Sequence, residues 1–370
     1  MACSDVCEQN TCSPAMEPQC KRRRDADTDH VSWDVLPVLS SEQCQDTQLL
    51  DAYAAPITNK RETSRLVREL TTVYPMPGLQ HIKRVRACKD PGSPHPLEIL
   101  VCLVRDLPDA GDERKVSISQ LLSSAKVDMS GLGDPFFVKI PACPPLTRPQ
   151  FELASKHWPT SFHEDKQLTV ALQGQLFTHG QKAKMQEFME TAIAAAKAGL
   201  QEGMEPIGAV IVDPQTERII AVGHDCRHGG HPLHHAVMVC IDLVAHAHGG
   251  GAHQYKYAGC WFSEPSPAPS LKKSNLLNLE VKGDFNELGS KILPYICTGY
   301  DLYVTQEPCV MCAMALVHSR IGRVFYGTAS ADGALGSKYK IHTQKGLNHH
   351  FEVFKGVLKQ QCEDLRNMPF

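Results

Sequence analysis

The stretch Thr305-Gln306-Glu307-Pro308-Cys309-Val310-Met311-Cys312-Ala313-Met314-Ala315-Leu316 sets the fold of the C-terminal half of this chain. The run Asp301–Thr305 predicts a strand leading into it. Pro308 predicts the first position of a helix, where its missing N–H has no partner to lose. Cys309 and Cys312 stand at i and i+3, so both thiols project from one side of that helix. The helix N-terminus favours their thiolate forms, which are the forms that bind zinc. His235, three residues after Pro232, predicts a third ligand at the start of a second helix. Its neighbour His234 fits the spacing less well. One histidine and two cysteines leave the fourth position of a tetrahedral zinc site open. The plainer alternative is a buried thiol pair beside an unrelated histidine, and the helix-start setting of all three residues speaks against it.

Working outward, residues 178–370 read as one domain of alternating strands and helices, an α/β layered unit. Met185, Phe188, Ala192 and Ala195 line one face of a long helix that Gly203 ends. Pro206–Val212, Arg218–Val222 and Gly322–Gly327 are apolar strands, and Phe351–Val357 is a further one. Residues 246–299, rich in Gly, Ser, Pro and Lys, read as a loop-like insertion. Upstream, residues 45–145 predict the order β-α-β-β-α-β of a ferredoxin-like α+β domain. Its parts are strand Leu49–Ile57, a helix capped by Thr58 or Asn59, strands Leu79–Cys88 and Leu97–Val104, helix Val116–Lys126 and strand Phe136–Ile140. Residues 146–177 read as a connector stiffened at its start by prolines, with Phe151, Trp158 and Phe162 expected to dock on one of the domains. Residues 1–44 read as a disordered or poorly ordered tail, with a basic run at Lys21, Arg22, Arg23 and Arg24.

Composition excludes several classes. The net charge of −3 rules out a chain that coats nucleic acid along its whole surface, so any RNA contact must use local patches. No apolar run is long enough for a membrane span, and no secretory signal is legible. The 15 cysteines, odd in number and irregularly spaced, do not read as a disulfide framework; apart from Cys309 and Cys312 they read as reduced thiols of the cytoplasm and nucleus.

The zinc deaminase signature is H-x-E followed by P-C-x-x-C, its glutamate carrying protons between zinc-bound water and base. Here the triplet is His235-Ala236-Val237, and valine carries no proton. General acid–base groups contribute about 10²–10⁴ in rate, so this chain alone is expected to be inactive. Glu307 and Asp242 are the nearest acidic alternatives, and neither is an obvious replacement. An active deaminase with a relocated proton carrier and a zinc-stabilised scaffold without an RNA role are the competing readings.

His235-Ala236-Val237, the stretch 305–316, Pro206-Ile207-Gly208-Ala209-Val210 and Gly346-Leu347-Asn348-His349-His350 together resemble the tRNA adenosine deaminases of the cytidine deaminase superfamily. With Val237 and the extra N-terminal domain, the chain is similar to the non-catalytic, deaminase-like subunits of the eukaryotic wobble-adenosine deaminase. That resemblance implies a cytidine-deaminase-like α/β/α domain with a structural zinc. It also implies a heterodimer with a catalytic subunit that converts adenosine to inosine at the anticodon wobble position, and a tRNA-binding role for this chain. Family members carry a substrate-holding asparagine where this chain reads Gly223-His224-Asp225-Cys226-Arg227, a second departure. What fills the fourth zinc position is open; a group of the C-terminal tail, Cys362, Glu363 or Asp364, is one candidate.

Basic residues mark where RNA could lie. Arg61, Arg65 and Arg68 form a stripe on the first helix, followed by Lys83, Arg84, Arg86 and Lys89; Lys338, Lys340 and Lys345 form a second group. Solvated helix faces produce the same pattern.

Overall fold

The computed structural model describes residues 33–88, 92–106, 117–122, 127–263 and 295–368. Its first half contains β1 (Leu36–Pro37), α1 (Ser41–Cys44), β2 (Leu49–Pro56), α2 (Thr63–Val73), β3 (Val85–Ala87), β4 (Leu97–Leu103), α3 (Ile118–Leu121), β5 (Phe136–Pro141), α4 (Arg148–His157) and α5 (Lys166–Leu172). The second half contains α6 (His179–Gln201), β6 (Gly208–Asp213), β7 (Arg218–His224), α7 (Ala236–Ala247), β8 (Trp261–Phe262), β9 (Asp301–Gln306), α8 (Val310–His318), β10 (Arg323–Thr328), β11 (Glu352–Lys355) and α9 (Lys359–Arg366).

The smaller sheet has the order β3-β4-β2-β5 with every neighbour antiparallel. From β2 to β5 the elements run β-α-β-β-α-β, with β4 inserted between β2 and β3, which is the ferredoxin-like arrangement. Period-two alternation divides its residues between two faces. Tyr53, Ala55, Ile57, Ile99 and Val101 pack on Leu66 and Leu70 of α2 and Leu121 of α3. Ala52, Ala54, Leu100 and Ile140 face the other way, onto Leu79, Ile82 and Trp158. Three expectations change here. The strand expected over Leu79–Cys88 shrinks to Val85–Ala87, because Leu79 and Ile82 sit on a turn that roofs the sheet. The connector expected over 146–177 gives α4 and Trp158 to this domain. Its Pro149 stands in the first turn of α4 behind a Thr147–Gln150 capping box, where proline opens a helix instead of stiffening a linker. The tail expected to reach residue 44 ends earlier. Val35 is buried, β1 pairs antiparallel with β11, and α1 opens with a Ser40–Gln43 capping box. A two-residue strand whose partner lies some 300 positions away leaves no local periodicity to read. The run Lys21–Arg24 lies outside the described residues.

The larger sheet has the order β1-β11-β10-β9-β6-β7-β8. β9, β10 and β11 are parallel, while β6 runs antiparallel to both β9 and β7. Both faces are buried, which is why these strands read as continuous apolar runs. Ala209, Ile211, Val304 and Val324 face α7 and α8. Val210, Val212, Tyr303, Phe325 and Phe354 face α6 and α9. Gly208 lets α6 approach: a Cβ there would lie 1.9 Å from the Ala192 carbonyl oxygen. Ala313, Leu316 and Val317 are buried in the core of this domain. The span expected to be loop over 246–299 supplies β8, which extends the sheet beside β7; its residues 264–294 lie outside the description. Among the described residues, no helix is long and apolar enough to cross a membrane.

Trp158 closes the smaller domain. It is fully buried, its Nε1 donates to the Lys83 carbonyl at 2.6 Å, and the Arg86 guanidinium lies 4.0 Å over its ring. Trp158→Ala should cost about 3–5 kcal/mol, read as a lower urea midpoint. An unchanged midpoint would mean that this domain is closed by other contacts.

Candidate metal centre

Two helix starts meet at one point. His235 is the N-cap of α7 and Cys309 the N-cap of α8, both with extended backbone, and Cys312 lies one turn into α8. The helix therefore opens at Val310, two residues later than Pro308 predicts. The displacement matters chemically, because an N-cap side chain projects across the helix mouth instead of along its flank. The donor atoms of His235, Cys309 and Cys312 all lie within 4.8 Å of one another, with Cys309 Sγ 3.7 Å from His235 Nδ1. Hydrogen bonds from the Cys312 thiol and from His235 hold the Cys309 thiol far below its ordinary range, to about 3. Donating that bond, together with burial, pushes Cys312 up. Binding a divalent cation here would displace the protons of both thiols. An imidazole and two thiols at this spacing are the donor set of a tetrahedral zinc site.

The cluster borders a cavity of about 250 Å³ that Val237 also lines. Val237 is 3% exposed and otherwise packed into the core beneath α7. The carboxylates around the cavity are engaged elsewhere. Glu307 is buried and accepts from Ser330 N at 3.2 Å, from Leu335 N and Ser337 N at 3.0 Å each, and from the Ser337 hydroxyl. Asp225 is gripped by Arg227, whose Nε lies 2.9 and 2.8 Å from its two oxygens. Asp332 pairs with Lys338 at 2.8 Å. Asp242, outside the cavity, accepts from Ala252 N and His253 N. The structural duties of Glu307 and Asp225 are not legible in the sequence, apart from the Asp-x-Arg spacing that allows Arg227 to fold back. Among the described residues, the C-terminal tail does not reach the cluster. Cys362 is buried with α6 and β10 on the face of the sheet opposite α7 and α8, so the tail is not the fourth ligand.

The basic residues separate into two kinds. Arg65 is locked by Glu62, Glu69 and the carbonyls of Asp128 and Ser130. Arg84 donates to the carbonyls of Leu70, Tyr74, Leu100 and Val101, and burial lowers it to about 10. Arg86 pairs with Glu98 and donates to the His157 carbonyl. These three arginines are engaged in contacts that hold the domain together. Arg61, Arg68 and Lys83 are exposed, whereas Lys89 lies outside the described residues. Of the second group, Lys338 pairs with Asp332, Lys345 with Glu42, and Lys340 lies 3.6 Å from Cys44 Sγ.

Comparison with known proteins agrees with this geometry. Residues 182–328 match the family model of the cytidine and deoxycytidylate deaminase zinc-binding region, and residues 50–158 match that of the tRNA-specific adenosine deaminase TAD3 N-terminal domain. A Danio rerio protein named probable inactive tRNA-specific adenosine deaminase-like protein 3 is 62% identical over 95% of this chain and 99% of its own length. The Homo sapiens protein of the same name is 50% identical over 94% of this chain and 95% of its own length. The chain belongs to the TAD3 family. A more distant member, the Schizosaccharomyces pombe tRNA-specific adenosine deaminase subunit tad3, is 29% identical over 75% of this chain and 74% of its own length. The TAD3 family model for the N-terminal domain ends at Trp158, where the structure closes that domain.

Glu307 links the two halves of the TAD3 site, joining the cysteine helix to the loop 330–337. Glu307→Gln should lower stability by about 1.5–3 kcal/mol, the worth of one hydrogen bond to a charged group, and speed proteolysis within 330–337. An unchanged thermal midpoint and cleavage pattern would show that the loop is held by something else.

Proposed function

We propose that this chain is the non-catalytic subunit of a tRNA adenosine-to-inosine deaminase acting at the anticodon wobble position, working beside a catalytic deaminase subunit in the cytoplasm and nucleus. The observation that carries the reading is Val237: an apolar side chain occupies the position of the proton carrier in a cavity whose own carboxylates are engaged elsewhere. The names of the TAD3 relatives, as tRNA adenosine deaminase subunits or inactive deaminase-like proteins, support it.

His235, Cys309 and Cys312 would hold a zinc ion. When bound, zinc would tie the starts of α7 and α8 together. Val237 excludes water from the side of the cavity that it lines and moves no proton. Arg227 and Asp225 brace the cavity wall through their paired charges. The exposed Arg61, Arg68 and Lys83 are left to meet phosphate, a role that needs charge without base specificity.

The direct measurement is inosine formation at the wobble position of a suitable tRNA, assayed with this chain, with the catalytic subunit, and with both. Activity is expected only from the pair and should survive Val237→Ala. Activity from this chain alone would overturn the reading. Replacing Arg61, Arg68 and Lys83 together with Glu should weaken tRNA binding by the pair about tenfold and flatten its salt dependence, while the far-UV spectrum stays unchanged. Unchanged affinity would remove these residues from the RNA surface.

A further inference from the structure

A second cluster of the same chemistry lies at the far end of the loop that carries His235. β7 ends at His224, and the chain turns through Asp225 and Cys226. His224 and Cys226 are fully buried. Cys260 arrives from the inserted segment directly ahead of β8, the strand that lies along β7 with Trp261 opposite Val222 and Phe262 opposite Ala221. The donor atoms of His224, Cys226 and Cys260 all lie within 4.8 Å of one another.

Three features separate this group from an incidental thiol pair. First, Cys226 Sγ lies 3.7 Å from His224 Nδ1, the same separation as Cys309 Sγ from His235 Nδ1. Tetrahedral zinc, with its ordinary bond lengths to sulfur and nitrogen, holds neighbouring ligand atoms about 3.5–3.8 Å apart. Second, His224 Nε2 faces the Ala258 carbonyl oxygen at 3.0 Å. A backbone carbonyl on the outer nitrogen is the usual device for orienting a metal-binding imidazole. Nδ1 also lies 2.7 Å from the Asp225 carbonyl oxygen, which accepts a hydrogen bond from a protonated Nδ1 until a cation replaces that proton. Third, the ring is cradled: a Cβ on Gly199 of α6 would stand 2.6 Å from Nδ1, so only glycine leaves the imidazole its place.

We propose that His224, Cys226 and Cys260 form a second zinc site, which clamps the inserted segment to the β7 edge of the sheet. The segment is already held near its base. Tyr257 donates to the Gly229 carbonyl at 2.9 Å, and Ala258 N donates to Glu202 at 3.0 Å. A metal on Cys260 closes the last joint before β8. Binding releases the Nδ1 proton and the thiol protons, leaving a neutral imidazole and two thiolates as ligands.

The test is zinc content of the purified full-length chain by mass spectrometry of the metal, repeated after Co²⁺ substitution to read thiolate-to-cobalt absorption. About two equivalents of zinc are expected in the wild type. About one is expected in Cys226→Ser/Cys260→Ser, and about one in Cys309→Ser/Cys312→Ser. Zinc content and cobalt absorption unchanged by Cys226→Ser/Cys260→Ser would overturn the proposal. If that variant does not fold, alkylation of the wild type decides. Cys226 and Cys260 should react faster once EDTA removes the metal, and equal rates with and without bound zinc would overturn it.

Discussion

The convergence of His235, Cys309 and Cys312 is the constraint around which the larger domain is arranged. Their donor atoms can lie within 4.8 Å only if the starts of α7 and α8 meet. Each helix follows a strand of the same sheet, α8 leaving β9 directly and α7 leaving β7 by way of the loop 225–235. β6 stands between β9 and β7, and α7 packs across it. Ala209 and Ile211 lie on that face, while Gly208 lets α6 approach from behind. Thus the position of three ligand-type atoms fixes the spacing of two helices, and that spacing fixes which side chains the central strand can carry.

Around that centre, acidic side chains have been given structural work. A catalytic carboxylate must be free to gain and lose a proton near the reacting atoms. Glu307 instead accepts four hydrogen bonds from the loop 330–337, and Asp225 is clasped by Arg227. A carboxylate bound in this way is kept from travelling. Val237 completes the change, since burying an isopropyl group contributes about 1.5–3 kcal/mol that an uncompensated carboxylate would not. The site has exchanged chemical freedom for rigidity without losing its metal-type donors.

Much of this was legible in the sequence, because helix starts and buried parallel strands leave dense local signals. Cys309 and Cys312 announced their helix through Glu307-Pro308, and the run Pro206–Val212 read as a strand because both of its faces are covered. The β-α-β-β-α-β order gave the smaller sheet. What could not be read was long-range. β1 needs β11, Trp158 needs Lys83 and Arg86, and Cys260 needs His224; each pairing joins segments with no shared periodicity. The arginines show the same limit from another side. Arg61, Arg65 and Arg68 look alike on a helical wheel, but Arg65 alone meets the carbonyls of a loop more than sixty residues away.

The loop 225–235 connects these observations. It carries the buried Cys226 near one end and His235 at the other, and Cys226 N donates to the His234 carbonyl at 2.8 Å, so its two ends are tied together. A loop closed on itself this way cannot let His235 drift without moving Cys226, and Cys226 is seated against His224 at the end of β7. The edge strand β8 leans on the same place through Cys260. The inserted segment, which alone reads as a polar excursion from the fold, is thereby coupled through backbone and thiol to the position of a metal-type histidine.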